Sequence, residues 1–545
     1  MLVKDVVQLR GSSRGEEMSV VDLKQRLACV WLSVSSTLQF SIGIAILWAL
    51  VVLYITKFTK GSKKPRLPPG PPAWPVVGSL HLLGQLPHRD MKDLADKYGP
   101  LMSLRLGSVQ AVVVSSPEIA RQFLKDQDQA FASRPLFSGP EIFNHKAQNL
   151  AWAPYGPTWR LLRKICTVEL FTAKRLKQFQ NIRQEELLST IQNILESGRG
   201  GKLVNMDEHM GSLTGNNITR MLFHRRYFGS KGIPITALGE AKEFQHIIRE
   251  LFRIGGAFIV SDYIPWLKRL DLGGWRAQLK KIQVKYDAFV GNLIDEHRRN
   301  AKPLAESENF VDVLLSIQNS GVDGRPTITD VQIGQLIADM ILGGTDTSSV
   351  AMVWTLTALM KYPEVRRKLR EEVDSVVGTE RLVDESDLPQ LKYLQAVVRE
   401  SFRCHPVGAF LLPHESLCDT VVAGYDIPRN TRIFVNLFAI YNDPQVWQNP
   451  QAFRPERFLN SFVDVKGAHF ELIPFGSGRR MCPGINLALL FIELTVAQLI
   501  HTCDFSLPPG VSPETVDTRE SYGLTTPRAT PLQLLVSPRL PSLVS

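Results

Sequence analysis

The sequence predicts a mainly α-helical protein with small β-sheets, carried behind one N-terminal transmembrane helix. Three observations predict it. Amphipathic helical periodicity recurs at Ala241–Phe252, Arg276–Arg299, Ile328–Met360, Pro363–Val377 and Leu391–Cys404, each bounded by polar, Gly or Pro punctuation. Strand signals are few and short: Leu101–Leu106 and Gln110–Val114 joined through Gly107-Ser108, and Ile433–Phe438 after Gly424. No residue from Leu27 to Thr56 is charged, and Phe40–Ile55 is almost wholly apolar.

Residues 1–26 read as a lumenal tail with five basic and four acidic side chains. Residues 27–56 follow as an anchor long enough for a bilayer core, which needs ~20 residues at 1.5 Å each. A cleavable signal peptide is the competing reading, but the stretch is long and lacks a clear small-residue cleavage site. Lys57, Lys60, Lys63, Lys64 and Arg66 come next with no acidic residue among them. That bias keeps the C-terminal side in the cytosol. Residues 57–75 form a basic and proline-rich hinge, with six prolines in its last eleven residues. Fixed φ and missing N–H groups favour a stiff extended spacer there, a groove-binding signalling ligand being the alternative.

Residues 76–545 show no internal repeat and no low-complexity linker. Length alone, 545 residues, suggests three or four domains at ~150 residues each. With 44% hydrophobic and 21% charged residues, the composition is that of an ordinary globular chain. The net charge of +10 is spread as 63 basic residues among 53 acidic ones, so it does not point to nucleic acid. Six scattered cysteines with no C-x-x-C pair fit neither a disulfide framework nor a zinc site.

Within the body, Pro157 sits near a helix start with Trp159 and Arg163 one turn apart. Gly343-Gly344-Thr345-Asp346-Thr347-Ser348 interrupts a long apolar helix, where each glycine costs about 1 kcal/mol relative to alanine. Close helix packing at the glycines would explain it if the segment stood alone. Glu400-x-x-Arg403 and Glu364-x-x-Arg367 both place opposite charges at i,i+3. The second reads as a solvated pair worth a few tenths of a kcal/mol. Near the C-terminus Phe475-x-x-Gly478-x-Arg480-x-Cys482-x-Gly484 holds a lone cysteine between glycines, with Arg480 two residues before it. Positive charge and close backbone N–H groups favour a thiolate, which ligates soft metals. A buried structural cysteine is the usual reading of a single cysteine, but the five fixed types arise by chance in about one chain in ten thousand.

This last pattern resembles the haem-binding loop of the cytochrome P450 superfamily, and the earlier motifs fall in the order that family has. The resemblance implies the P450 fold and a bound haem b with Cys482 as axial iron ligand. It implies that Phe475 packs beneath the porphyrin, that Gly478 and Gly484 let the backbone pass close to it, and that Arg480, Trp159 and Arg163 serve the propionates. Asp346 and Thr347 match the acid–alcohol pair that delivers protons over the iron. Glu400, Arg403 and Arg457, the last within Phe453-Arg-Pro-Glu-Arg-Phe458, match a buried ionic triad. Motifs from Trp159 to Cys482 must converge on one haem, so residues 76–545 are expected to be one catalytic unit rather than three.

The same resemblance implies a single-pass enzyme of the endoplasmic reticulum membrane with a cytosolic catalytic domain. It implies a monooxygenase that hydroxylates a small lipophilic substrate with O2 and electrons from an NADPH–cytochrome P450 reductase docking near Arg479. No nicotinamide or flavin fingerprint is present in the chain. Asn217-Ile-Thr219 is a glycosylation sequon, expected to stay unmodified in the cytosol and so to report orientation. A haem-thiolate isomerase or dehydratase of lipid hydroperoxides, or a non-catalytic haem protein, needs no Asp346-Thr347 relay, so the intact pair favours the monooxygenase. Phe410-Leu-Leu-Pro-His-Glu-Ser416 and Tyr522–Pro531 resemble plant in-chain hydroxylases of medium-chain fatty acids, the leading expectation for substrate. Asp464–Phe470 resembles flavonoid and phenylpropanoid aromatic hydroxylases, the alternative. Relatives often carry Arg where His414 stands. The family analogy places substrate contacts in Phe131–Leu150 and at Ala338, Asp339, Gly343, Ala409, Phe410 and Leu524.

Overall fold

The computed structural model describes residues 65–229, 238–299, 309–321 and 327–544, with Ser41, Ile42, Gly43, Ala45 and Trp48. The expected tail, nearly all of the expected anchor and the start of the hinge lie outside the described residues. Two units separate, Met1–Pro65 and Arg66–Ser545, and the larger is described below.

Eight helices matter for the site: α1 (Pro157–Ile165), α2 (Met206–Phe223), α3 (Leu238–Gly255), α4 (Trp275–Arg299), α5 (Asp330–Lys361), α6 (Pro363–Val377), α7 (Lys392–Cys404) and α8 (Ile485–Thr502). Their boundaries have local causes. Thr329 and Gln332 close a capping box at the start of α5, and α6 runs from Pro363 at its first turn to Gly378 at φ +78°. Among the described residues α5 and α8 are long and apolar enough to cross a bilayer, yet most of each is buried in the core.

Nine short strands form three small sheets among the described residues: β1 (Leu101–Leu106), β2 (Val109–Val114), β3 (Leu203–Asn205), β4 (His414–Glu415), β5 (Thr420–Val422), β6 (Tyr425–Ile427), β7 (Arg432–Val435), β8 (Cys503–Ser506) and β9 (Gln533–Pro538). The largest sheet has the order β1-β2-β7-β4, with β1 and β2 antiparallel and β2 parallel to β7. The expected hairpin is there. The expected strand Ile433–Phe438 ends early, because the Asn436 side chain accepts from Ala439 N and caps a short helix, Leu437–Tyr441.

Two other expectations change. The proline-rich segment is no free spacer from Arg66 onward: Arg66 N donates to Asp426 at 2.6 Å, Ser103 N donates to Pro69 O at 2.8 Å, and Gly70 lies against Ser103. A chain without amide donors still offers its carbonyls to a neighbour. The sequon asparagine Asn217 is 1% exposed inside α2. Burial leaves no room for a glycan in the folded chain, so an unmodified Asn217 reflects packing as well as membrane orientation.

Candidate active site

Residues 475–484 form a tight loop leading into α8. Cys482 N donates to Phe475 O at 2.9 Å, which turns the cysteine back across the loop. Gly478 takes φ +66°, and a Cβ there would stand 1.9 Å from Leu124 O. Its requirement is therefore a left-handed turn against the 122–126 segment. Gly484 is different: its Cβ would lie 4.0 Å from the Cys482 sulfur. Burial pushes the Cys482 thiol up, while the Gly484 N–H and Arg163 favour the thiolate. Among the described residues no group of three His, Cys, Asp or Glu side chains could hold a metal ion.

The donor set beside the cysteine fits an anionic cofactor edge. Arg134, 6% exposed, donates to the carbonyls of Ala151 at 3.3 Å, Pro413 at 3.0 Å and Leu412. Arg480 donates to Ala132 O at 2.6 Å, Leu150 O at 3.3 Å and Ala153 O, and its guanidinium lies 4.5 Å from the Trp159 ring centroid. Arg163 donates to Met481 O at 2.5 Å. Burial lowers all three, Arg134 to about 9 and Arg480 to about 8. No carboxylate among the described residues pairs with any of them. Buried cations without counter-charge are costly, and two propionates would supply that charge. Arg134 carried no signal in the sequence analysis. His414, where relatives often carry Arg, donates from Nδ1 to Phe131 O at 2.8 Å, and burial with Arg134 nearby holds it well below the usual imidazole range. It is neutral, and the positive charge comes from Arg134 instead.

On α5 the two glycines have separate reasons. A Cβ at Gly344 would come within 2.6 Å of Ile218 on α2, so this glycine allows close helix packing. At Gly343 a Cβ would meet nothing within 4 Å. That position faces open space, and Thr347 one turn on donates to Gly343 O at 2.6 Å. Asp346 accepts from Thr525 Oγ1, and burial raises its carboxyl. It also lines a cavity of about 190 Å³ together with Asp207, Gly211, Ser349 and Arg528. Thr525 was missed in the sequence because its partner lies 179 residues away.

Glu400 and Arg403 are both 0% exposed. Arg403 makes a fork to Glu400 at 2.8 and 2.9 Å, and Arg457 Nε joins at 3.0 Å. The expected substrate contacts divide. Leu524 has exposed surface, Gly343 faces open space, and Phe410 is half-buried with its ring edge toward Phe434. Ala338 and Ala409, at 1% and 3% exposed, are packed into the core instead. Asp339 spends its carboxylate on the Asn149 side-chain amide and the backbone N–H groups of Leu150 and Ala151. Arg479, expected on the reductase face, is already paired with Asp128 at 3.1 Å.

Comparison with known proteins agrees with this geometry. The family model described as cytochrome P450 matches residues 68–534. A flavonoid 3'-monooxygenase of Crocosmia x crocosmiiflora is 41% identical over 493 residues, 90% of this chain and 96% of that protein. Cytochrome P450 703A2 of Oryza sativa subsp. japonica is 43% identical over 509 residues, 91% of this chain and 96% of that one. A zebra fish cytochrome P450 solved with abiraterone superimposes with a TM-score of 0.70 at 27% identity, covering 84% of this chain and 100% of its own.

Proposed function

The chain belongs to the cytochrome P450 family and is a haem-thiolate monooxygenase that uses O2 and a redox partner; from that premise we propose that it hydroxylates an aromatic ring of a flavonoid- or phenylpropanoid-like substrate. The observation that carries this reading is the set of flavonoid-hydroxylating relatives matched over most of the chain. The in-chain fatty-acid expectation gives way to its alternative on that ground. The electron donor is proposed to be a membrane-bound NADPH–cytochrome P450 reductase, with this chain anchored in the same endoplasmic reticulum membrane by its segment before residue 57.

When bound, the haem supplies an iron at which O2 is activated with two electrons and two protons. The chain supplies the rest. Cys482 gives the thiolate, and Arg134, Arg163 and Arg480 give counter-charge to the propionates, with Trp159 as the platform under Arg480. Asp346, at the cavity beside Asp207 and Arg528, accepts from Thr525 Oγ1 with its carboxyl raised by burial, and Thr347 presents a hydroxyl on the face of Gly343. Proton transfer through such a pair contributes about 10²–10⁴ in rate.

Three measurements test the reading. The red-shifted Soret band of the ferrous–CO adduct vanishes in Cys482→Ala; a normal adduct in that variant refutes the ligand assignment. On titration, a naringenin-like flavonoid shifts the spin state more strongly than laurate. The opposite ranking returns the substrate to a medium-chain fatty acid, and product made from a hydroperoxide without NADPH or reductase sinks the monooxygenase chemistry.

A further inference from the structure

A buried carboxylate away from the cysteine loop sits at the base of the hairpin that meets Asp346. Residues 519–529 form that hairpin: Ala529 N donates to Arg519 O at 2.8 Å, Ser521 N donates to Pro527 O at 2.9 Å, and Glu520 pairs with Arg528 as an antiparallel bridge. At its tip Thr525 Oγ1 donates to Asp346 on α5. A hairpin this short has little stability of its own, so its anchors decide where the tip stands. The returning arm is fixed through Thr526, whose N–H donates to Val407 O at 2.7 Å, whose hydroxyl accepts from Ala409 N at 3.3 Å and whose carbonyl accepts from Trp354 Nε1 at 2.9 Å. The outgoing arm is fixed by Glu520.

The Glu520 side chain is 7% exposed, and one of its oxygens accepts from His88 Nε2 at 2.8 Å and from Arg89 Nε at 2.5 Å. Both donors stand in the first turn of the helix Pro87–Tyr98. That turn is itself held firmly. His88 is 0% exposed, its ring lies 5.9 Å from that of Tyr522 in a near-parallel stack, and Asn436 Nδ2 donates to its carbonyl at 2.8 Å. The Arg89 guanidinium lies 4.8 Å from the Phe438 ring centroid. Burial alone would push the Glu520 carboxyl up, but the His88 and Arg89 donors outweigh it and hold it down at about 2. Glu520 is therefore ionised at any working pH, and hydrogen bonds to a charged acceptor are the strong kind.

We propose that Glu520 is a positioning residue: it staples the outgoing arm to the helix Pro87–Tyr98 and so sets the Thr525 hydroxyl against Asp346. With Asp346 Oδ2 occupied by that hydroxyl, Oδ1 is the oxygen left to take up and release a proton. A loosened arm lets the carboxyl turn and misdirects the proton. O2 then takes two electrons from NADPH, through the redox partner, and two protons from solvent, and leaves as hydrogen peroxide without oxygenating the substrate. The staple rests on the reading of Asp346 as a proton carrier for its consequence, and not on which substrate is bound.

Three readouts on the full-length holoenzyme follow the staple from base to consequence: hydrogen–deuterium exchange, the infrared C–O stretch of the ferrous–CO adduct, and peroxide released per NADPH consumed. In Glu520→Gln, exchange of the peptide covering 519–526 rises about tenfold, while the red-shifted Soret band stays normal. The C–O stretch broadens and the peroxide ratio rises, and Thr525→Val gives the same two changes. The double variant releases no more peroxide than Thr525→Val alone, because a residue that acts through Thr525 then has nothing left to position. Additive effects overturn the proposal, as does wild-type exchange at 519–526 in Glu520→Gln, or a rise spread evenly over the chain, which marks a merely structural role. If Glu520→Gln does not fold, Arg89→Met, at a side chain 49% exposed, carries the same cycle with smaller effects, and additivity there overturns the staple equally. An Asp346→Asn variant with the wild-type peroxide ratio sinks the proton-carrier reading, while the exchange and infrared results still decide the staple.

Discussion

Two helices in this protein carry the same acid–base spacing, Glu364-x-x-Arg367 on α6 and Glu400-x-x-Arg403 on α7, with nearly the same contact distances of 3.0 and 2.8 Å. On α6 the side chains are 78% and 55% exposed; on α7 both are fully buried. The surface pair joins a helix to itself and competes with water. The buried pair joins α7 to a distant segment. Arg403 also donates to the carbonyls of Tyr441, Pro450 and Ala452, while Glu400 accepts from Arg454 N and Arg457. That segment leads toward the cysteine loop. An i,i+3 spacing thus says that two charges meet, and the surroundings say whether their meeting matters.

Breaking the pairs should separate them widely. Glu400→Gln leaves two guanidiniums without their carboxylate in a dry site and should cost about 3–5 kcal/mol, read by thermal or urea unfolding and by loss of the ferrous–CO signature. A cost near zero would mean that the triad is solvated. A third carboxylate sharpens the contrast. Glu493 on α8 is pushed up to about 7 by burial, which Arg399 and Lys392 only partly offset. A carboxyl raised in the folded state penalises folding once it ionises, so stability is lost as pH rises from about 4.5 through about 7. Glu493→Gln should therefore be more stable than the wild type by about 2 kcal/mol at pH ~8, with the gain gone below pH ~4.5. A pH-independent difference between the two proteins would rule this out. Smallest of all, Glu364→Gln should move stability by less than about 0.5 kcal/mol, and salt should erase even that.

The α5 glycines repeat the lesson at shorter range. Adjacent and chemically identical, they answer to different neighbours: Ile218 crowds Gly344, and open space lies beside Gly343. The helix interruption was visible in the sequence, but which glycine served packing and which served the site was not. Asp339 shows the same limit. Its position on α5 suggested substrate contact, whereas its carboxylate is held by residues 149–151, nearly two hundred positions upstream. Thr525 and Arg134 left no local mark at all, since each acts through a partner that folding alone supplies.

What could be read in the chain was whatever depends on near neighbours. Helix periods and their caps recovered α6 residue for residue and α5 to within two at its start, because capping and amphipathic spacing act over a few residues. The loop ending in Gly484 could be recognised because its residues lie close together along the chain, and the comparison with known proteins places the whole body in the family that the loop suggested. Folding decided the rest: which Glu–Arg pair lost its water, which arginines were left without carboxylates for a cofactor to neutralise, and where the Asp346 and Asp339 carboxyls turned. Each of those depends on desolvation and on partners far apart in sequence, quantities that exist only once the chain has closed around them.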